Sequence, residues 1–366
     1  MFGDIYSNKK VLITGNTGFK GSWLSIWLLK LGAKVYGLSK DIPTEPSMFK
    51  ELKLKNEINH YESDVRDFDS VKSIIEQVKP DFVFHLAAQA LVSVSYSDPI
   101  ETITTNVIGT TNILEALKQS NHHCVGIFIT SDKCYDNVEW EWGYKETDAL
   151  GGKDIYSGSK GAAEIIFKSY YQSFFSSNDS KVRIATARAG NVIGGGDWAR
   201  DRIVPDCMRA WSENEIVEIR SPNATRPWQH VLEPLSGYLA LGNELYLDNN
   251  LNGESFNFGP NSQYSHTVED ILKDLTLQWN FKDTSKAYNI TDDIKFHEAG
   301  LLKLNCDKAL FHLKWMPTLS YDQLIEFTGS WYYNFYQKNG NIFEYTFEQI
   351  DNYEDIAFKK EIEWTK

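Results

Sequence analysis

Several things are missing from this chain of 366 residues, and each absence narrows what it can be. Its four cysteines, Cys124, Cys134, Cys207 and Cys306, stand far apart with no CxxC pair. That spacing signals neither a zinc site nor a disulfide framework, so reduced, structural thiols and no metal are expected. No uninterrupted run of about 20 apolar residues occurs, which argues against a membrane-spanning helix. The N-terminal MFGDIYSNKKVLITG carries no signal-peptide apolar region, because its apolar stretch begins a strand and is cut by glycine. A soluble, cytoplasmic protein is the expectation. Basic excess is also absent: the net charge is -13, which speaks against tracking a nucleic-acid backbone but leaves room for a local cationic pocket around one anionic ligand. Repeats, low-complexity tracts and Pro/Ser-rich linkers are missing too, so any two parts should pack closely.

What is present is a large apolar and aromatic content, 42% and 14%, enough to bury a sizeable core. Short apolar runs alternate with helical patterns: KVLITG then SWLSIWLLKLG, KVYGLS, SVKSIIEQVKP then DFVFHLAA, TTNVIGTTNILEALKQS then VGIFITS. This order predicts an α/β fold of the Rossmann type, a doubly wound parallel sheet with helices on both faces. Residues 1–189 are expected to form the dinucleotide-binding domain. Residues 190–366, where the alternation loosens, are expected to form a smaller substrate domain, with ESFNFGP (Glu254 to Pro260) returning a strand to the main sheet. The aromatic tail, YDQLIEFTGSWYYNFYQKNGNIFEYTFEQIDNYED, reads as helix packed on the core or on a second subunit.

GNTGFKG places Gly15, Gly18 and Gly21 directly after one strand and before a helix. Glycines there permit a tight turn and let backbone N–H groups approach a pyrophosphate at the helix N-terminus. A ribose-binding acid belongs about 20 residues on. The second strand ends instead at Ser39, with Lys40 and Asp41 next. Asp41 favours NAD, while Ser39 and Lys40 would also tolerate a phosphate. Asp64, at the end of the third strand, is either a contact for the adenine amino group or a loop carboxylate or cap of the following helix.

Two further clusters carry chemistry. TSDKCY sets Asp132 beside Lys133 at the end of a buried strand, and YSGSK puts Tyr156 and Lys160 on one helix face. A lysine ammonium near a phenol is expected to lower its pKa from about 10 and make it a usable base. The adjacent histidines His122 and His123 have no third ligand nearby and suggest no metal. Trp140 and Trp142 either wall a pocket or simply pack.

GxxGxxG, the strand-end TSDK and YxxxK together resemble the extended short-chain dehydrogenase/reductase family, and HLAAQ with TNVIGTTNILEA resembles its middle region. The likeness spans at least residues 10 to 235. It implies NAD as cofactor, with Phe19, Lys20, Val65, Ala87, Ala88, Gln89 and Asn106 joining the glycines, Ser39, Asp41, Asp64, Tyr156 and Lys160 around it. Asn106 falls where the family braces its active-site helix. Thr130 or Ser131, with Ser131 favoured by motif position, supplies the hydroxyl for the reacting oxygen. Dimerisation through the helix carrying Tyr156, or a dimer of dimers, is also implied.

Within that family, TGNTGFKGSWL, TSDKCYDN and ATRPWQHVLEPLSGYL resemble the nucleotide-sugar 4,6-dehydratases. Members acting on dTDP-glucose usually read Thr-Asp-Glu where this chain reads Ser131, Asp132, Lys133, and those acting on CDP-glucose resemble the present form. Such chemistry oxidises C4 of the hexose, eliminates water across C5 and C6, and returns the hydrogen to C6. Asp132 then serves as acid at the C6 oxygen, which requires a raised pKa. Lys133 either takes the C5 proton as a neutral amine or stays charged and stabilises the enolate. Asn191, Arg202 and Arg226 are the implied diphosphate contacts, although Leu232 and Glu233 depart from the family's helix start there, and a solvated surface role is also open for Arg202. A 4-epimerase and a non-catalytic NAD-binding sensor are the other readings.

Overall fold

The computed structural model describes residues 1–366 apart from 220, 262–265, 280, 282, 284, 285, 292–300 and 339. Seven parallel strands form the central sheet: β1 (Lys10–Thr14), β2 (Lys34–Ser39), β3 (Asn59–Glu62), β4 (Phe82–His85), β5 (Cys124–Ile129), β6 (Val182–Ala189) and β9 (Ser255–Phe258). Their spatial order is β9-β6-β5-β4-β1-β2-β3, so the chain reverses direction across the sheet between β1 and β4. Ligands of such sheets bind at the carboxyl ends of the strands beside that reversal. The Glu254 to Pro260 segment does return a strand, β9, which pairs with β6. Two short strands beyond Gly190, β7 (Val192–Ile193) and β8 (Gln229–His230), pair with each other outside the main sheet.

Burial explains the elements. Every residue of β5 is buried, as a central parallel strand covered on both faces requires. The helix α2 (Phe68–Val78) buries Val71, Ile74, Ile75 and Val78, one face at helical spacing, and Asp67 caps it by accepting from the Ser70 N–H. By contrast α1 (Phe19–Lys30) is apolar on nearly all sides. The aromatic tail accounts for this, because α7 (Ile342–Lys359) covers the outer face of α1 within the same chain. Trp27 Nε1 donates to Glu354 Oε1 at 2.7 Å, Lys30 pairs with Glu354, and Trp364 stacks on Phe2 and Tyr353. The remaining helices used below are α3 (Gly109–Gln119), α4 (Ile155–Tyr170), α5 (Leu232–Leu247) and α6 (Tyr321–Tyr333).

Glu233, near the start of α5, ties this C-terminal layer to the core. Its buried carboxylate accepts from the N–H groups of Thr318 and Leu319 and from the Tyr353 hydroxyl. Burial pushes its pKa up to about 7, against those donors.

Candidate active site

The glycine loop leaves β1 in a left-handed turn at Gly15, φ +76°, where a Cβ would lie 2.8 Å from the backbone nitrogen of Ala87 beyond β4. At Gly21 a Cβ would stand 2.1 Å from the Gly15 carbonyl oxygen, so the loop closes on the first turn of α1 with no space for any side chain. Gly18 is the N-cap and offers no side-chain acceptor. The first-turn N–H groups, with those of Phe19 and Lys20 among them, are left to an external anion.

Asn16 was not singled out from sequence, yet it anchors this loop. It is fully buried, accepts from Ser39 Oγ at 2.8 Å, meets His60 Nδ1 at 3.2 Å, and fills the space over Gly37. Ser39 is therefore engaged with the loop. Asp41 is exposed, with Lys40 Nζ at 3.9 Å. Lys40 and Arg66 both meet Glu101, and Arg66 also clasps Asp64 through backbone and guanidinium N–H groups. The hydrogen bonds from Arg66 hold the Asp64 carboxyl below its ordinary range. The cap of α2 is Asp67, not Asp64.

On the other side of the reversal, Ala87 N–H donates to Thr14 Oγ1, and Ala88 follows half-buried. Val65 packs into the space left by Gly109. Asn106 lies in a π-helical turn, Thr104–Ile108, a distortion often found at functional sites. Its side chain accepts from Gln89 N–H at 2.8 Å and donates to Gln89 O and to Ser159 Oγ, the latter at 2.8 Å. It thus braces α4 one residue before Lys160.

Thr130 and Ser131 follow β5. Ser131 caps a short turn, Asp132–Cys134: its Oγ accepts from the Lys133 N–H and donates to Asp132 Oδ1 at 3.0 Å. Asp132 is buried, and its Oδ2 has no partner. Burial raises its pKa, against the pull of Lys133, Ser131 and Lys20. Lys133 itself is half-buried. Tyr156 and Lys160 are both buried on α4, and burial lowers Lys160 to about 8.

One expectation is corrected here. Burial pushes the Tyr156 phenol up to about 12, where a lowered value was expected, with a Ser131 hydrogen bond and the charge of Arg202 acting against the rise. Desolvation of the phenolate outweighs the influences that would lower it. Lys20 lies in the same electrostatic cluster. Burial, Arg202 and Lys160 lower it to about 8, while Asp132 and Asp197 act to raise it.

Arg202 is brought to this cluster and held by Asp197 Oδ2 at 2.8 Å. Asn191 follows Gly190, its carbonyl accepting from the Gln229 N–H. Arg226 sits half-buried on a short strand and donates to Thr225 O. Trp140 and Trp142 are exposed, the former against Tyr144. His122 contacts Pro80 O and His123 the Tyr246 ring, at the amino ends of β4 and β5 and so away from the site. Among the described residues no cluster of metal ligands occurs.

Behind the site lies a network that motif reading passed over. The Glu164 carboxylate on α4 accepts from Thr130, Thr186 and Arg188. Burial alone would raise its pKa, but the charge and hydrogen bonds of Arg188 bring it below its ordinary value. Arg188 reaches on to the Tyr135 hydroxyl, which donates to Asn257. An arginine among the alanines of IATARAG was the available signal, since a charge in a buried strand requires a partner.

Sheet order, glycine cradle and Tyr-Lys helix define a Rossmann-type protein of the short-chain dehydrogenase/reductase class. A family model described as GDP-mannose 4,6 dehydratase matches residues 12–328, and the chain belongs to that family. It is 46% identical to a CDP-glucose 4,6-dehydratase of Salmonella typhimurium over 317 residues, 86% of this chain and 88% of the relative. Its fold is that of a UDP-glucose 4-epimerase of Thermotoga maritima (TM-score 0.75, 22% identity, 87% of this chain and 97% of that one). It is likewise that of a dTDP-glucose 4,6-dehydratase of Bacillus anthracis in complex with NAD (TM-score 0.73, 20% identity, 92% and 99%).

Proposed function

We propose that this protein is a CDP-glucose 4,6-dehydratase, converting CDP-glucose to CDP-4-dehydro-6-deoxyglucose and water with NAD as cofactor. The observation that carries the reading is Asp132, a buried carboxyl with a raised pKa, set between Lys133 and the Tyr156 pocket. An epimerase needs no such acid. The 46% identity to a curated CDP-glucose 4,6-dehydratase supports the same conclusion.

The cradle fits a dinucleotide. Gly15 and Gly21 leave no room for side chains, and the uncapped N-terminus of α1 suits a pyrophosphate. Lys40 and Arg66 are already matched by Glu101 and Asp64, which favours NAD over its phosphorylated form. Bound NAD supplies a reversible two-electron acceptor for the sugar.

Tyr156 removes the C4 hydroxyl proton, with Ser131 hydrogen-bonding the reacting oxygen and Lys160 stabilising developing negative charge. Oxidation at C4 acidifies C5. Lys133 then takes that proton or holds the enolate charge, while Asp132, whose pKa burial raises, delivers its proton to the departing C6 oxygen. Residues 190–366 supply the substrate side, where Asn191, Arg202 and Arg226 meet the diphosphate.

We assign a homodimer formed through α4 and its neighbours, because Ile100, Ile103 and Ile165 are exposed there. A cytoplasmic location agrees with the unpaired cysteines. Among the described residues no helix is long and apolar enough to cross a membrane.

Incubation of the purified protein with CDP-glucose tests the assignment. A 4-keto sugar, seen by its base-shifted ultraviolet absorbance, supports it. CDP-galactose without ketone would instead show an epimerase, and NAD binding without turnover a sensor. Competition among CDP-, UDP-, GDP- and dTDP-glucose tests the base.

A further inference from the structure

Tyr238, on α5, is fully buried, and its hydroxyl is another polar atom without a partner among the described residues. The ring stands edge-on to Phe258 at 5.7 Å, a contact that phenylalanine would make equally well. Buried tyrosine hydroxyls normally find a partner. The charged group that acts on this phenol is Asp132, whose Oδ2 is itself buried and unpartnered. Helix α5 packs against β5, so it runs beneath the strand whose end carries Asp132. Gly190 leaves the space at that oxygen: a Cβ there would stand 2.8 Å from Oδ2.

On this geometry, and resting on the dehydratase reading above, we infer that Tyr238 is a positioning residue for the elimination acid. Through one bridging water its oxygen accepts the hydrogen bond that keeps the proton on Oδ2 of Asp132. Other groups face this carboxyl: Ser131, Lys133 and Cys134 from its own turn, Lys20 from α1 and Tyr156 from α4. All but Tyr238 lie on the turn itself or on the catalytic and cofactor elements. Among these described residues, Tyr238 is the one that approaches from the layer beneath β5.

Tyr238→Phe keeps the ring and removes the hydroxyl. With CDP-glucose as substrate, kcat should fall about tenfold while KM stays within about twofold of wild type, since the hydroxyl supports proton transfer and not sugar binding. The alkaline limb of kcat against pH, where the acid loses its proton, should move down by about one pH unit. Tyr238→Met, which also removes the hydroxyl while a flexible apolar chain fills the ring's place, should move that limb in the same direction and carries the test should the first variant misfold. An unchanged limb in the folded variants would overturn the inference while leaving the dehydratase assignment intact. A wild-type protein inert toward CDP-glucose would overturn both.

Discussion

Asp132 and Glu164 are both buried, and the consecutive hydroxyls of Ser131 and Thr130 bond to one each. Their surroundings differ in one respect that decides their roles. Glu164 has Arg188 against both oxygens, and its pKa falls. Asp132 has a partner on one oxygen only, and its pKa rises. Burial penalises the charged form in both places, so the presence or absence of a matched cation decides the direction of each shift, and on the proposed function it makes one carboxyl a structural anion and the other a proton donor. A short polar turn at the end of β5 thus separates the part that holds α4 in place from the part that does chemistry.

The sharpest way to break this contrast begins with the residue both sides serve. Tyr156→Phe should lower kcat by at least about 1,000-fold with CDP-glucose, because no other group can take the C4 proton. Folding should be little changed, as the ring is kept, and circular dichroism checks that. Glu164→Gln comes next and should act on stability: leaving Arg188 buried without its anion should cost about 3–5 kcal/mol in denaturant unfolding. Asp132→Asn should do the reverse, lowering kcat about 100-fold while unfolding stability holds or rises, because a buried, half-satisfied acid is replaced by a neutral amide. Equal loss of stability in the two variants would erase the distinction.

The smallest effect lies in pH. Asp132 has a raised folded-state pKa, so its contribution to stability is whole below the unfolded value of about 3.9 and is lost as pH rises through the folded one. Glu164 has a lowered one, so its contribution is present above about 4.3 and lost as pH falls through the folded value. Unfolding free energies from pH 3 to 7 should therefore show opposite slopes when each variant is subtracted from wild type, falling with pH for Asp132 and rising with pH for Glu164.

These carboxylates also show what a sequence reveals. Asp132 was visible because its meaning is local: an acid beside a lysine at the end of an apolar run, near YxxxK. The glycine loop and the sheet were legible for the same reason, each being written in a few adjacent residues. Glu164 acquires its meaning from Arg188, 24 positions on, across a helix and a strand. Asn16 acquires its own from Gly37 and Ser39, and Glu233 from Thr318 and Tyr353. Periodicity is blind to such pairings. Lys160 was legible as a residue but the direction of the phenol's shift was not, since the burial that raises it is a property of the packed whole.

The clamp between Trp27 and Glu354 reaches further than its position suggests. The helix it steadies is the one whose opening turn would receive the pyrophosphate under the proposed function, so the tail, on the outer side of that helix, should bear on how firmly the dinucleotide is gripped. Heating or limited proteolysis that peels away residues 342–366 should release nicotinamide dinucleotide while the parallel sheet still stands, making cofactor retention an early gauge of wear in this enzyme.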